Sequence, residues 1–264
     1  MELEGLIVQV QESGKYRAVS PELVRQLATQ EAAKGRSVKE TVKAIRNRLH
    51  QVGGAYLEAG TDYDRWLVSL QAAEGQASLQ AACREVLGHH ASTRERLTIL
   101  DQFYPTVLAG LPPLHSVLDV ACGLNPLAIP WLPLAADALY YACDIYADMV
   151  AFLNASFPLL GVQGAASQCD LTQTIPNTAV DIAFILKTIP CLEQVDKAAG
   201  SRLLDGLHAR WLLVSFPTRS LGGRSKGMGA TYEAHFNALV AGRGWQIARF
   251  EFPGELVFLV DKQP

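Results

Sequence analysis

In the run Val117-Leu118-Asp119-Val120-Ala121-Cys122-Gly123-Leu124-Asn125-Pro126, an apolar β-type stretch ends in one glycine, where the backbone must turn tightly. Ligands of open α/β sheets bind at the carboxyl ends of the central strands, near the reversal of strand order, so this turn is the place to look for a cofactor. A dinucleotide site would need Gly-x-Gly-x-x-Gly, so that backbone amides can approach a pyrophosphate. Leu124, Asn125 and Pro126 stand there instead, which disfavours a phosphate cradle and favours a cofactor with none, such as S-adenosylmethionine. Asp144 follows the next apolar run, twenty-one residues beyond Gly123, close to the spacing at which an acid accepts hydrogen bonds from ribose hydroxyls. Asp170, in Gln168-Cys169-Asp170-Leu171, closes a third strand region and could receive an adenine amino group. Either acid alone would serve equally as a helix N-cap. Acids at successive strand ends favour the cofactor reading.

The elements that must position these residues are legible from periodicity. From Pro21 to about Val86 apolar residues recur at three and four, as in Leu23, Val24, Leu27 and Val42, Ile45, Leu49, so the first ninety residues read as helical. Breaks at Gly14, Lys34-Gly35 and Gly53-Gly54 divide them into short helices, and Ser37 can cap the one carrying Lys39, Lys43, Arg46 and Arg48. Ser92-Thr93-Arg94-Glu95 matches a capping box and predicts a helix starting near Ser92. Beyond it, β-type runs at 116–121, 139–143, 181–186, 211–215, 245–250 and 255–260 are mostly separated by helical stretches near 146–157, 192–208 and 229–242. That alternation implies a mainly parallel sheet with helices on both faces. The last two runs meet at Pro253-Gly254 without a helix and predict an antiparallel hairpin. The expected fold is α/β, a Rossmann-like class I methyltransferase sheet of seven strands behind a small all-helical N-terminal domain, divided as 1–88 and 89–264.

Composition sets the bounds. The 264 residues are 49% hydrophobic and 19% charged, which suits a globular protein with a sizeable core. The start, MELEGLIVQV, has neither a basic n-region nor a long apolar run, so no signal peptide or membrane span is read and a cytoplasmic location is expected. The five cysteines are odd in number and lack metal-ligand spacing; they read as buried thiols, and no metal site is expected. Residues 14 to 50 hold nine Lys or Arg and three Glu, net +6, so against the overall −3 the remainder carries −9. A basic segment on an acidic body suits a polyanionic partner, although a solvated helix face would look the same.

Three strings together carry a family resemblance: His90-Ala91-Ser92-Thr93-Arg94-Glu95-Arg96, the segment Val117 to Ala128, and the segment Val214-Ser215-Phe216-Pro217-Thr218-Arg219-Ser220-Leu221-Gly222-Gly223-Arg224-Ser225-Lys226-Gly227-Met228. From Lys15-Tyr16-Arg17 to the C-terminus the chain resembles the aminoglycoside-resistance 16S rRNA methyltransferases that act on guanine N7 at position 1405. The resemblance implies S-adenosyl-L-methionine as cofactor, with contacts at Tyr56, His90, Ala91, Ser92, Arg96, Ala121, Gly123, Asp144, Cys169, Asp170, Leu186 and Gln194. Arg96 would pair with the methionine carboxylate. His90 would also serve as a helix-entry residue, and Tyr56 as packing. The resemblance further makes the helical region an RNA-docking domain for 16S rRNA in the 30S subunit, with Lys15, Arg17, Arg46 and Arg48 as phosphate contacts. A monomer is expected.

Guanine N7 carries an in-plane lone pair and no proton, so methyl transfer to it needs no general base and no catalytic residue is assigned. Leu186-Lys187-Thr188-Ile189-Pro190 stands where methylases of exocyclic amino groups place an Asp/Asn-Pro-Pro-aromatic motif. The resemblance assigns Ser215, Arg219, Arg224, Lys226 and Met228 to a loop that grips phosphate and folds over an extruded base, with Met228 or Phe216 packing on that base. The alternatives are methylation of another rRNA base or a small molecule, and a 30S-binding protein that has lost activity.

Overall fold

The computed structural model describes residues 3–57, 61–219 and 227–263. Its N-terminal part is helical: α1 (Leu3–Gln11), α2 (Pro21–Ala32), α3 (Val38–Leu49), α4 (Tyr63–Gln71) and α5 (Gly75–Leu87). Each buries the stripe that the three-and-four spacing marks, for example Leu23, Val24 and Leu27 on α2 and Val42, Ile45 and Leu49 on α3. Ser37 caps α3 in a full capping box with Glu40, satisfying orphan amides at both ends of the exchange. A single π-helical turn, His50–Gly54, follows α3.

Two short helices, α6 (Ala91–Arg96) and α7 (Leu100–Val107), lead into the sheet. Its strands are β1 (Leu114–Val120), β2 (Leu134–Asp144), β3 (Gln163–Gln168), β4 (Val180–Leu186), β5 (Ala209–Pro217), β6 (Gln246–Phe252) and β7 (Glu255–Asp261). They lie in the order β3-β2-β1-β4-β5-β7-β6, all parallel except β7. The helices between strands are α8 (Ala147–Ser156), α9 (Ile189–Leu192), α10 (Ala199–Gly206) and α11 (Met228–Val240). The seven-stranded Rossmann-like layout is the one expected, and β6 and β7 form the hairpin around Pro253-Gly254. The order reverses between β1 and β4, which puts the cleft at their carboxyl ends.

Strand residues alternate between two cores. Ile182, Phe184, Leu213 and Val257 join one apolar cluster with α1 to α5, α7 and α8; Ala183, Ile185, Leu212 and Val214 join another with α9 to α11. The N-terminal helices therefore share a continuous core with one sheet face, with Leu23, Ile45 and Trp66 in the same cluster as Tyr146 and Phe152. Backbone bonds tie the two parts as well: Ser20 N–H donates to Ile145 at 2.8 Å, Ala147 N–H to Ala18 at 2.8 Å, and Ala91 N–H to Tyr56 at 2.7 Å.

Several local expectations need correction. The helix at 91–96 starts one residue early, with His90 as N-cap and no side-chain cap. The Ser92 hydroxyl bonds the His90 ring at 2.9 Å instead, and Glu95 is drawn away to Lys187, so the capping box does not form. The stretch read as one helix near 192–208 begins where α9 ends, at Leu192, and holds a turn followed by α10 (Ala199–Gly206). Of the cysteines, 83, 122 and 143 are buried, whereas Cys169 and Cys191 are half-buried.

Candidate functional site

A cleft with about 730 Å³ of empty space, part of it open to solvent, lies at the carboxyl ends of β1, β2 and β4. Of the expected cofactor residues, Tyr56, His90, Ser92, Ala121, Asp144, Cys169, Asp170 and Leu186 line it together. The turn after β1 is built by two left-handed residues, Ala121 with φ +48° and Gly123 with φ +52°. A side chain at Gly123 would bring a Cβ to 2.7 Å from the His90 ring, so glycine is required there by space as well as by backbone. That turn aims the Gly123 N–H at the Asp144 carboxylate, 2.8 Å away, while the other Asp144 oxygen accepts from Ile145 N–H at 2.7 Å. Burial raises the Asp144 carboxyl above the usual range, opposed by these backbone donors.

Asp170 accepts from Thr172 N–H and hydroxyl through one oxygen, at 2.9 and 2.8 Å. Its second oxygen is buried with no partner among the described residues, an acceptor left for a ligand donor such as an amino group. Tyr56 stacks on His90 at 5.9 Å, and its hydroxyl meets the Cys191 thiol at 3.1 Å. Burial, with Lys187 and Arg96 close by, pushes the His90 imidazole down to about 3, so the ring is neutral in the cleft wall.

Three expected cofactor residues stand behind the lining. Ala91 is buried and spends its N–H on Tyr56, and Gly123 acts through Asp144. Arg96 is 2% exposed, pairs with Glu255 on β7 at 2.6 and 3.1 Å, donates to Asn125 at 2.8 Å and packs over Phe103. Pairing with a methionine carboxylate would therefore fall to its remaining N–H groups. Gln194 lies apart, lining a surface groove with Gln30, Arg36 and Arg48.

Lys187 is the residue that motif reading passed over. It follows β4 in the left-handed region, φ +59°, which a non-glycine residue adopts at a cost. The strain carries its ammonium into the cleft wall, where it meets Glu95 at 2.7 Å, the Ser92 carbonyl at 3.4 Å and Glu255 at 3.5 Å. Burial opposes ionisation of Glu255, but Arg96 and Lys187 on either side hold its carboxyl below the usual range. Positive φ is invisible in a sequence string, which is why Lys187 carried no signal.

The expected RNA contacts divide. Lys15 and Arg17 are exposed, with Lys15 Nζ 3.2 Å from the His50 ring. Arg46 is half-buried and donates to the Gln9 carbonyl; Arg48 donates to Gln30 at 2.6 Å and lies 3.4 Å from the buried Glu31 carboxylate. Both basic groups thus help hold α3 against α1 and α2. Ser215 is wholly buried, its hydroxyl accepting from Lys187 N–H at 3.2 Å, and cannot reach a phosphate from there. Phe216 is likewise buried, between Tyr232, Phe236 and Phe258, which removes it as a packing partner for a base. Arg219 is exposed, and Met228 opens α11, half-buried. Arg224 and Lys226 lie outside the described residues.

The parallel sheet with its reversed last hairpin, and a cleft whose acids end β2 and follow β3 beside a turn without the glycine-rich phosphate motif, define a class I S-adenosylmethionine-dependent methyltransferase. The model of the family described as ribosomal RNA methyltransferase (FmrO) matches residues 12–259, and the chain belongs to that family. The 16S rRNA (guanine(1405)-N(7))-methyltransferase of Frankia casuarinae is 41% identical over 95% of this chain and 90% of its own. That of Serratia marcescens is 36% identical over 99% of each. The crystal structure of the 16S rRNA methyltransferase RmtF in complex with S-adenosyl-L-homocysteine superposes with a TM-score of 0.83 at 31% identity, covering 99% of both chains.

Proposed function

We propose that this protein methylates N7 of guanine 1405 in 16S rRNA within the intact 30S subunit, acting as a cytoplasmic monomer, and so protects the ribosome against aminoglycosides. Near full-length relationship to enzymes of that name carries the reading. No helix among the described residues is long and apolar enough to cross a membrane.

The cleft residues suit the cofactor. Asp144 can take ribose hydroxyls on lone pairs left by Gly123 and Ile145, and the partnerless oxygen of Asp170 can take an adenine amino group. Ile145, Met149, Leu171 and Leu192 give apolar walls for a base. When bound, S-adenosylmethionine supplies an electrophilic methyl group: the N7 lone pair forms the new N–C bond, the S–C bond breaks, and its electron pair leaves with a neutral thioether. The protein's work is then to hold acceptor and methyl in line and to keep water out, with no proton to move. Lys187 and Arg96 are already neutralised by Glu95 and Glu255, so the wall offers directed donors without excess positive charge beside a sulfonium. The basic segment would meet rRNA phosphates, and Arg219 would act once the target base is extruded.

The test is methylation of purified 30S subunits with chemical cleavage at 7-methylguanosine, together with drug susceptibility of cells expressing the protein. Cleavage at 1405 with gentamicin and kanamycin resistance and continued apramycin sensitivity is expected. Modification of a neighbouring adenine, with apramycin resistance, would replace this reading with another rRNA target.

A further inference from the structure

The turn after β1 is followed by a side chain that bonds in three directions. Asn125, 3% exposed, donates from Nδ2 to Asp119 at 2.8 Å, and its Oδ1 accepts from Arg96 at 2.8 Å and from the Tyr104 hydroxyl at 2.6 Å. Asp119 lies on β1, Arg96 on α6 and Tyr104 on α7, so one amide joins three elements. Its orientation is forced, because a flipped amide would aim NH₂ at a guanidinium and an oxygen at a carboxylate. Asn125 N–H also closes on the Cys122 carbonyl at 2.9 Å, and Cys122 N–H on Cys143 at 3.0 Å. The left-handed residues Ala121 and Gly123 are therefore held from both ends, and through Gly123 so is Asp144.

We propose that Asn125 is a positioning residue for the cofactor: its amide, bridging Asp119 to Arg96 and Tyr104, fixes the turn that sets Gly123 against Asp144. The proposal rests on the cleft being the S-adenosylmethionine site. At that reach an amide both donates to a carboxylate and accepts from a guanidinium without itself titrating. A carboxylate of the same shape would face Asp119 across 2.8 Å, where two like charges must share a proton or move apart. The other ionisable groups facing this pair are Arg96, Tyr104, Tyr140, Cys122, Asp144 and, behind Arg96, Glu255. Burial holds the tyrosines and the thiol protonated, and Asp144 and Glu255 are common to every variant.

The test is calorimetric titration of S-adenosyl-L-homocysteine into the full chain at pH 6 and pH 8, for wild type, N125D and the swap D119N/N125D. The loss of a hydrogen bond to a charged group predicts roughly tenfold or greater weakening for N125D at pH 8. Much of that loss should be recovered at pH 6, where the pair shares a proton, and the swap should restore binding at pH 8 by parting the two charges. A packing defect would show neither the pH dependence nor the rescue. N125S, which cannot make all three bonds, should weaken binding at both pH values and serves if N125D fails to fold. Wild-type affinity in folded N125D, or in N125S where N125D does not fold, overturns the proposal. Wild type that binds no S-adenosyl-L-homocysteine removes the cofactor reading beneath it.

Discussion

Gly123 donates its backbone N–H to the Asp144 carboxylate at 2.8 Å, so the turn after β1 and the acid that ends β2 are one unit. The acid owes its place to the turn, and the turn owes its shape to two residues in the left-handed region.

Asp144→Ala removes the acceptor proposed for ribose hydroxyls. Loss of hydrogen bonds to a charged group should weaken S-adenosyl-L-homocysteine binding by roughly 1.5 to 3 kcal/mol, read by calorimetry. Binding of 30S subunits should be unchanged, because the residue lines the cleft and not the surface. Unaltered cofactor affinity would place the ribose elsewhere.

Gly123→Ala tests the same unit from the other side. The added methyl would sit 2.7 Å from the His90 ring at φ +52°, so either the ring or the turn must move. Cofactor affinity should fall with only a moderate loss of stability, on the order of 1 to 3 kcal/mol for a left-handed alanine, read by thermal or denaturant unfolding. The double variant Gly123→Ala/His90→Ala should recover part of the binding if the clash with the ring is the cause.

Asp119 gives a stability signature. Burial pushes its carboxyl up to about 7, opposed by donors on Asn125 and Tyr140. An unfolded Asp titrates near pH 3.9, roughly. Between these values the folded chain holds a proton that the unfolded chain has released. The contribution is therefore complete below about pH 4 and lost as pH rises through about 7. Wild-type melting temperature should drop between pH 6 and pH 8 more than that of Asp119→Asn. Parallel profiles for the two proteins would show that Asp119 is ionised throughout.

The sheet was legible because its strands are short apolar runs bounded by breaks, and period and length together leave few other arrangements. Six runs were readable directly, whereas β3, Gln163–Gln168, is polar and mostly exposed at the sheet edge and could be inferred only from the acid that follows it. The candidate site was legible where a residue's place depends on its distance from a strand end, as for Asp144 and Asp170, which both line the cleft. It was not legible where the role depends on a tertiary partner. Arg96 is as basic as a carboxylate ligand should be, yet Glu255, 159 residues away, claims it from inside the core. Ser215 closes a β-type run in the string and opens the loop, and Phe216 reads as loop, but β5 runs on to Pro217 and buries both. Arg46 and Arg48 read as phosphate contacts or as solvated charge on an amphipathic helix, and only packing against α1 and α2 shows what they hold.

That difference reshapes what the basic residues should do. Charge reversal at Arg46 and Arg48 would disturb helix packing along with any phosphate contact, so it cannot isolate docking. Lys15 and Arg17 are exposed, and Lys15→Glu/Arg17→Glu should weaken 30S binding with little change in melting temperature. Its affinity should also depend less steeply on salt, since two lost phosphate contacts reduce the slope of log K against log salt by about 1.8. Arg219 stands just beyond β5, on the cleft side of the sheet, and is also exposed. A group that engages only the extruded base contributes to the transition state and not to docking. Arg219→Ala should therefore lower the single-turnover rate at saturating 30S while leaving binding close to wild type. If Arg219→Ala abolished binding and spared that rate, the residue would belong to the docking surface with Lys15 and Arg17, and methyl transfer would depend on groups already inside the cleft.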